Sequence, residues 1–202
     1  MANSTATPVP DTLKNAVIRL AGYSQDGIQS VGAFLAQLAG STAKEVMTYM
    51  TIPSTISGGA SIFQVHLGSG KVLHPGDEAD MLIAFYQDSY DNHLHSVRDG
   101  GICIYDSDQV EELKEERGIT QIGVPFTSAT IEALGGSAKN RGKNIFVLGM
   151  LCAVYELDRD KMSDIIAKKF GKKSEDVLRN AMIAFDTGYA WPIQSIDRMP
   201  MA

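Results

Sequence analysis

Ala16-Val17-Ile18-Arg19-Leu20-Ala21-Gly22-Tyr23-Ser24-Gln25-Asp26-Gly27 decides the fold of this chain. Its first half, Ala16 to Ala21, is rich in branched apolar residues and predicts a strand. Gly22 to Gly27 is polar and bounded by glycine, as a tight turn requires. Apolar residues then recur at helical spacing, at Ile28, Val31, Phe34, Leu35 and Leu38. A strand, a turn and a helix N-terminus aim several backbone N–H groups at one point. That point suits an anion, most often a phosphate. Two readings fit the turn, an ordinary β–α connection and a phosphate site. It lacks the middle glycine of a dinucleotide fingerprint, and Ile28-Gln29 stands where a P-loop carries Lys-[Ser/Thr]. In the functional reading Ser24 and Gln25 donate hydrogen bonds and Gly27 lets the backbone approach a ligand. Asp26, ill-suited to a phosphate, caps the helix or meets a neutral group.

Working outward, the same strand–helix alternation continues. Glu45 to Thr51 predicts a second strand, ended by Pro53, and Ser54 to Ser61 a polar loop at the same sheet edge as the Gly22 turn. Ligands collect at that carboxyl edge in a parallel sheet. Ile62–Leu67 and Lys71–Leu73 flank Gly68-Ser69-Gly70 and predict a β-hairpin. Met81–Phe85 and Gly101–Tyr105 predict strands, with a surface helix over Tyr86–Val97 between them. Asp106-Ser107-Asp108 predicts the cap of a helix reaching Glu116, and Ile119–Val124 a last strand closed by Pro125. Three helices are predicted in the last third: Asn144–Leu157, Asp160–Phe170 with Gly171 as C-cap, and Ser174–Tyr189. The class is α/β: a Rossmann-like three-layer domain with a mostly parallel sheet, one antiparallel hairpin and a helical C-terminal third.

The 202 residues suit one domain, taken as 12–190 between a loose tail at 1–11 and an irregular tail or linker start at 191–202. A net charge of −6 argues against nucleic acid or an anionic membrane as the main partner. No apolar run reaches the ~18 residues of a membrane span, and Met1 to Pro10 lacks signal-peptide character, so the expected location is cytoplasmic. Cys103 and Cys152 read as buried free thiols, too few for a four-cysteine cluster. His93 and His95 diverge on a helix, Asp91 and His95 share a solvated face, and His66 and His74 read as surface residues. Lys168, Lys169, Lys172 and Lys173 suit a helix C-terminus. No nucleophilic triad is assignable.

Several landmarks in order resemble the gamma subunit or domain of the 2-oxoacid:ferredoxin oxidoreductases. They are Ile18-Arg19-Leu20-Ala21-Gly22 with Asp26-Gly27-Ile28 and Ser30-Val31-Gly32, then Ser57-Gly58-Gly59-Ala60-Ser61 with Phe63-Gln64-Val65. Asp80-Met81-Leu82-Ile83-Ala84, Gly100-Gly101-Ile102, Asn144-Ile145-Phe146-Val147-Leu148-Gly149 and the late Asn180, Ala184, Gly188 and Tyr189 follow. The 2-oxoglutarate branch, in which this domain often begins a longer alpha subunit, looks most similar. Two positions depart from the family pattern: Ser57 stands where an arginine is common, and Gln25 where many members have glycine.

The resemblance implies a parent reaction, oxidative decarboxylation of a 2-oxo acid with coenzyme A to acyl-CoA, CO2 and reduced ferredoxin. It implies that the chain acts within a multisubunit complex and is inactive alone. Thiamine-diphosphate-binding alpha and beta subunits are its partners, and ferredoxin is reached through the complex. Thiamine diphosphate, Mg and an iron–sulfur cluster belong on other domains or subunits, since Asp26-Gly27 lacks the glycine and asparagine of a thiamine-diphosphate motif. Coenzyme A is the co-substrate here. The ligand-facing set carried over is Gly22, Ser24, Gln25, Asp26 and Gly27 from the first loop, Ser57, Gly58 and Gly59 from the second, and Asn144. The alternative is a structural assembly subunit whose loops touch no ligand.

Overall fold

The computed structural model describes residues 13–42, 44–51, 59–116, 118–136, 142–193, 199 and 201. Six strands form one sheet in the order β2-β3-β1-β4-β5-β6. They are β1 (Asn15–Tyr23), β2 (Glu45–Met50), β3 (Ala60–Gly68), β4 (Ala79–Ala84), β5 (Val97–Asp106) and β6 (Thr120–Val124). The helices are α1 (Ile28–Ser41), α2 (Gln87–His93), α3 (Phe126–Ala133), α4 (Lys143–Val154), α5 (Arg159–Phe170) and α6 (Glu175–Tyr189).

β1, β4, β5 and β6 run parallel, with Ile18 beside Met81, Ile83 beside Ile104 and Ile104 beside Ile122. β3 runs antiparallel to both its neighbours, pairing Ile18 with Val65 and Met47 with His66. The α/β class therefore stands, but the hairpin expected between 62–67 and 71–73 does not form. β3 has both edges filled by β1 and β2, so residues 71–73 find no ladder to join. Val72 is buried instead, and its N–H donates to Glu45 Oε2 at 2.8 Å.

Side chains alternate across the sheet as the period of two demands. Ile18 and Leu20 of β1, Val65 of β3, Met81 and Ile83 of β4 and Ile104 of β5 face α1 and α4 in the main core. Ala21, Leu82, Ala84 and Cys103 face the other way, onto Tyr90 and Leu94. α4 is buried on nearly every side, wedged between the sheet side and α6, which explains its near-unbroken apolar run.

Four further expectations are corrected. The segment 87–96 is no simple surface helix: α2 ends at His93, a 3₁₀ turn follows, and Tyr90 and Leu94 are buried. No helix follows Asp106, because α2 side chains take the backbone amides of that segment. Gln87 Oε1 accepts from Glu111 and Glu112 N–H, and Tyr90 Oη accepts from Lys114 N–H. His66 is buried, its Nδ1–H donating to the His74 carbonyl at 2.7 Å, while His74 is exposed. α3 was not expected, yet it starts at Phe126 with Pro125 as its N-cap.

The helical third follows the sequence pattern. Asp158 caps α5 through Lys161 N–H at 3.0 Å, and Ser174 caps α6 through Val177 N–H at 3.2 Å. Cys103 and Cys152 are buried and free, and burial pushes the Cys103 thiol up to about 12. The described part of the last segment folds back on the domain. Trp191 meets Phe146 edge-on, and Met199 and Met201 N–H donate to the Val154 and Tyr155 carbonyls. Among the described residues no helix is long and apolar enough to cross a membrane.

Candidate functional site

Topology gathers five chain segments at one edge of the sheet. The C-terminal ends of β1, β4, β5 and β6 meet there because those strands are parallel, and the start of β3 joins them because it is antiparallel. β1 leads into a 3₁₀ turn over Ser24–Asp26, then into Gly27 at φ 76°, then into α1. Ser24 N–H donates to the Gly59 carbonyl at 3.3 Å, so the turn and the end of the second loop touch as expected. Ser57 and Gly58 lie outside the described residues.

The two turn glycines make room for packing. A Cβ at Gly22 would meet Phe85 Cβ at 3.2 Å and Ile28 Cγ2 at 3.3 Å. A Cβ at Gly27 would lie 2.5 Å from Asn144 Nδ2, and the positive φ there also favours glycine. Asn144, the second residue of α4, fills that space and reaches toward the Gly27 carbonyl at 3.5 Å. Gly27 and Gly142 are the N-caps of α1 and α4, so neither helix start receives a side-chain cap from its own N-cap residue. α3 differs: Asp108 accepts from Ser128 N–H at 2.7 Å and Ser128 Oγ at 3.0 Å. Ser24 is half-buried and Gln25 exposed, both on the rim of the turn.

Asp26 turns inward. Its Oδ2 accepts from Tyr23 N–H at 3.0 Å, and its Oδ1 accepts from Tyr86 Oη at 2.7 Å. Tyr86 in turn accepts from Lys143 Nζ at 2.8 Å. Lys143 is only 3% exposed, lies 4.0 Å from Asp26 Oδ1 and sits 4.2 Å above the Tyr86 ring. Burial lowers the Lys143 ammonium's pKa, while Asp26, Asp106 and Asp108 oppose that shift. Burial also raises the Tyr86 phenol, and the hydrogen bond to Asp26 adds to it. Asp106 is fully buried and its pKa is raised, chiefly by desolvation. Thr127 Oγ1 at 2.7 Å and Asp108 N–H at 3.1 Å hold its carboxylate. Tyr23 lies against Tyr86 at 4.8 Å between centroids and donates to Asp88 at 2.8 Å.

Thus Gly22, Ser24, Gln25, Asp26, Gly27, Gly59 and Asn144 do come together. Sequence reasoning missed Tyr23, Tyr86 and Lys143, which hold Asp26, and Asp106, whose charge acts on Lys143. A signal existed for Lys143, a charge directly ahead of the apolar run that opens at Asn144. Among the described residues no group of three His, Cys, Asp or Glu could hold a metal ion.

The same fold exists in known proteins. A structure of 2-oxoglutarate:ferredoxin oxidoreductase from Magnetococcus marinus, with 2-oxoglutarate, coenzyme A and succinyl-CoA bound, superposes with a TM-score of 0.84 at 29% identity. It is matched over 94% of this chain and 33% of its own. A keto/oxoacid ferredoxin oxidoreductase gamma subunit from Geobacter sulfurreducens shares the fold, with a TM-score of 0.73 at 21% identity over 88% of this chain and 95% of its own. By sequence, the 2-oxoglutarate oxidoreductase subunit KorA of Mycobacterium tuberculosis is 28% identical over 88% of this chain and 31% of its own length. The ketoisovalerate oxidoreductase subunit VorA of Methanothermobacter marburgensis is 29% identical over 96% and 40%. The chain thus spans about a third to two fifths of these two relatives. The pattern that defines one family runs from residue 17 to residue 191, from β1 through the whole sheet to the end of α6. With that span and this fold, the chain belongs to the pyruvate ferredoxin/flavodoxin oxidoreductase family.

Proposed function

We propose that this chain is the coenzyme A-handling part of a 2-oxoacid:ferredoxin oxidoreductase, with 2-oxoglutarate as the substrate. The reaction joins a 2-oxo acid and coenzyme A into acyl-CoA, releases CO2 and passes two electrons to ferredoxin. Residues 12–190 are the working unit, and a cytoplasmic location suits ferredoxin as acceptor. The observation that carries the reading is the convergence of the Ser24–Gly27 turn, the Gly59 segment and the α4 start at the carboxyl edge. A relative of the same fold with coenzyme A bound supports it.

Thiamine diphosphate, supplied by alpha and beta partner subunits, would carry the decarboxylation, and an iron–sulfur cluster the electrons. This chain's own contribution is binding and orientation. Two helix starts without side-chain caps offer N–H groups to the phosphates, and Ser24 and Gln25 offer donors on the rim. Holding the thiol near the acyl group replaces a bimolecular encounter with an oriented one, and such effective molarities reach ~10⁵ M or more.

Gln25→Glu tests this without disturbing the fold, because Gln25 is exposed and the change is nearly isosteric. In the assembled complex the KM for coenzyme A should rise about five- to tenfold, as a carboxylate meets the phosphates. The decarboxylation half-reaction, followed by exchange of CO2 into the 2-oxo acid, should continue at its normal rate. An unchanged KM would favour the structural assembly role instead.

A further inference from the structure

The edge proposed to receive coenzyme A is lined with carboxylates. Asp26 closes the turn itself, Asp88 bonds Tyr23, Asp106 ends β5, and Asp108 lies just beyond it. A ligand carrying a diphosphate and a further phosphate meets this edge at a disadvantage. Lys143 answers that disadvantage. It enters from α4 beneath the turn, with its ammonium 4.0 Å from Asp26 and 2.8 Å from the phenol that bonds Asp26. Asp26, Asp106 and Asp108 are the charges that act on it. Packed between the Tyr86 and Phe85 rings, it is too buried to touch a ligand in solvent.

We infer that Lys143 is the internal counter-ion of this site: it neutralises Asp26 from below, so that the Tyr23–Gly27 turn accepts an anionic ligand. The inference rests on the coenzyme A reading and deepens it. Lys143 is a positioning residue, acting through Asp26 and Tyr86. Direction follows along the chain Lys143 Nζ–Tyr86 Oη–Asp26 Oδ1, in which each group donates to the next. Asp26 Oδ2 is left to fix the Tyr23 N–H at the base of the turn. The two contacts of Asp26 thereby tie charge compensation and turn shape to one residue.

A counter-ion and a mere packing element behave differently toward ligand charge. Pantetheine carries the reactive thiol arm of coenzyme A but no phosphate, so it reports shape alone. In the assembled complex Lys143→Met should raise the KM for coenzyme A about tenfold and that for pantetheine less than about twofold. Adding Asp26→Asn to Lys143→Met should return the coenzyme A KM to within about threefold of the parent, because the uncompensated carboxylate is gone. Equal losses for the two thiols, or a deeper loss in the double variant, would overturn the inference. If Lys143→Met does not assemble, Asp26→Asn alone decides. With Lys143 retained it should lower the coenzyme A KM and leave pantetheine unmoved, and an unchanged or raised coenzyme A KM refutes the counter-ion role. Gln25→Glu separates the two levels: if it raises the coenzyme A KM while these variants fail, the ligand reading survives and only the role of Lys143 falls.

Discussion

Ionisable residues wholly or partly withdrawn from water set the behaviour of this domain at the scale of single side chains. His93 ends α2, and its pKa is lowered, first by desolvation and then by the charges of Arg19 and His95. A histidine depressed in the fold is protonated more readily in the unfolded chain. Its stabilising contribution is therefore present above the ordinary value of about 6.5 and is lost as pH falls from there toward the depressed folded value. Urea midpoints should drop as pH is lowered from 7 to 5, and His93→Gln should flatten that part of the profile. An identical slope in the variant would assign the pH dependence elsewhere. Lys143 shows what the sequence hides at this scale. Its place depends on Phe85 and Tyr86 after β4 and Asp26 after β1 meeting the start of α4, with the charge of Asp106 at the end of β5 acting on it. No local pattern records a meeting of three segments separated by up to 117 positions, as Gly27 and Asn144 are.

At the scale of elements, the apolar periodicity at Ile28–Leu38 and the apolar stretch read over Asn144–Leu157 announced their helices, the second of which ends at Val154. The 106–116 segment forms no helix. Asp106-Ser107-Asp108 has good capping chemistry, but the amides of 111, 112 and 114 are bonded by Gln87 and Tyr90 of another helix. The short α3, rich in Ser and Thr, carries a weak helical pattern and was invisible for that reason. The contact between α4 and α6 is the tightest in the helical third. A Cβ at Gly149 would lie 2.1 Å from the Phe185 carbonyl, and one at Gly188 would lie 1.9 Å from the Phe146 carbonyl. Backbone cannot rotate aside as a side chain can, so the helices must separate. Gly149→Ala and Gly188→Ala should each lower stability by about 2–3 kcal/mol, read from urea unfolding. Since the α4 start carries Lys143 and Asn144, partial separation should also raise the coenzyme A KM. Unfolding midpoints equal to the parent's would mean that the close crossing is not kept in solution.

At the scale of the whole molecule, the proposed ligand contacts among the described residues lie on one edge of the sheet. Parallel β1, β4, β5 and β6 end at the first edge together with the start of β3. That polarity separates the coenzyme A role from the assembly role. A photoreactive coenzyme A analogue, activated in the assembled complex, should label this chain within 23–27 or 59–61, or at Asn144. Labelling should be lost when excess coenzyme A is present, and reduced in Gln25→Glu, because a specific site saturates and senses charge. Label found only on other subunits would leave this chain as scaffold, its carboxyl edge serving protein contacts alone. Label on this chain but at the far edge, near Leu157 and Met201 where Leu35 and Leu38 line a cavity of about 190 Å³, would move the site to a different face and refute the counter-ion role of Lys143 with it.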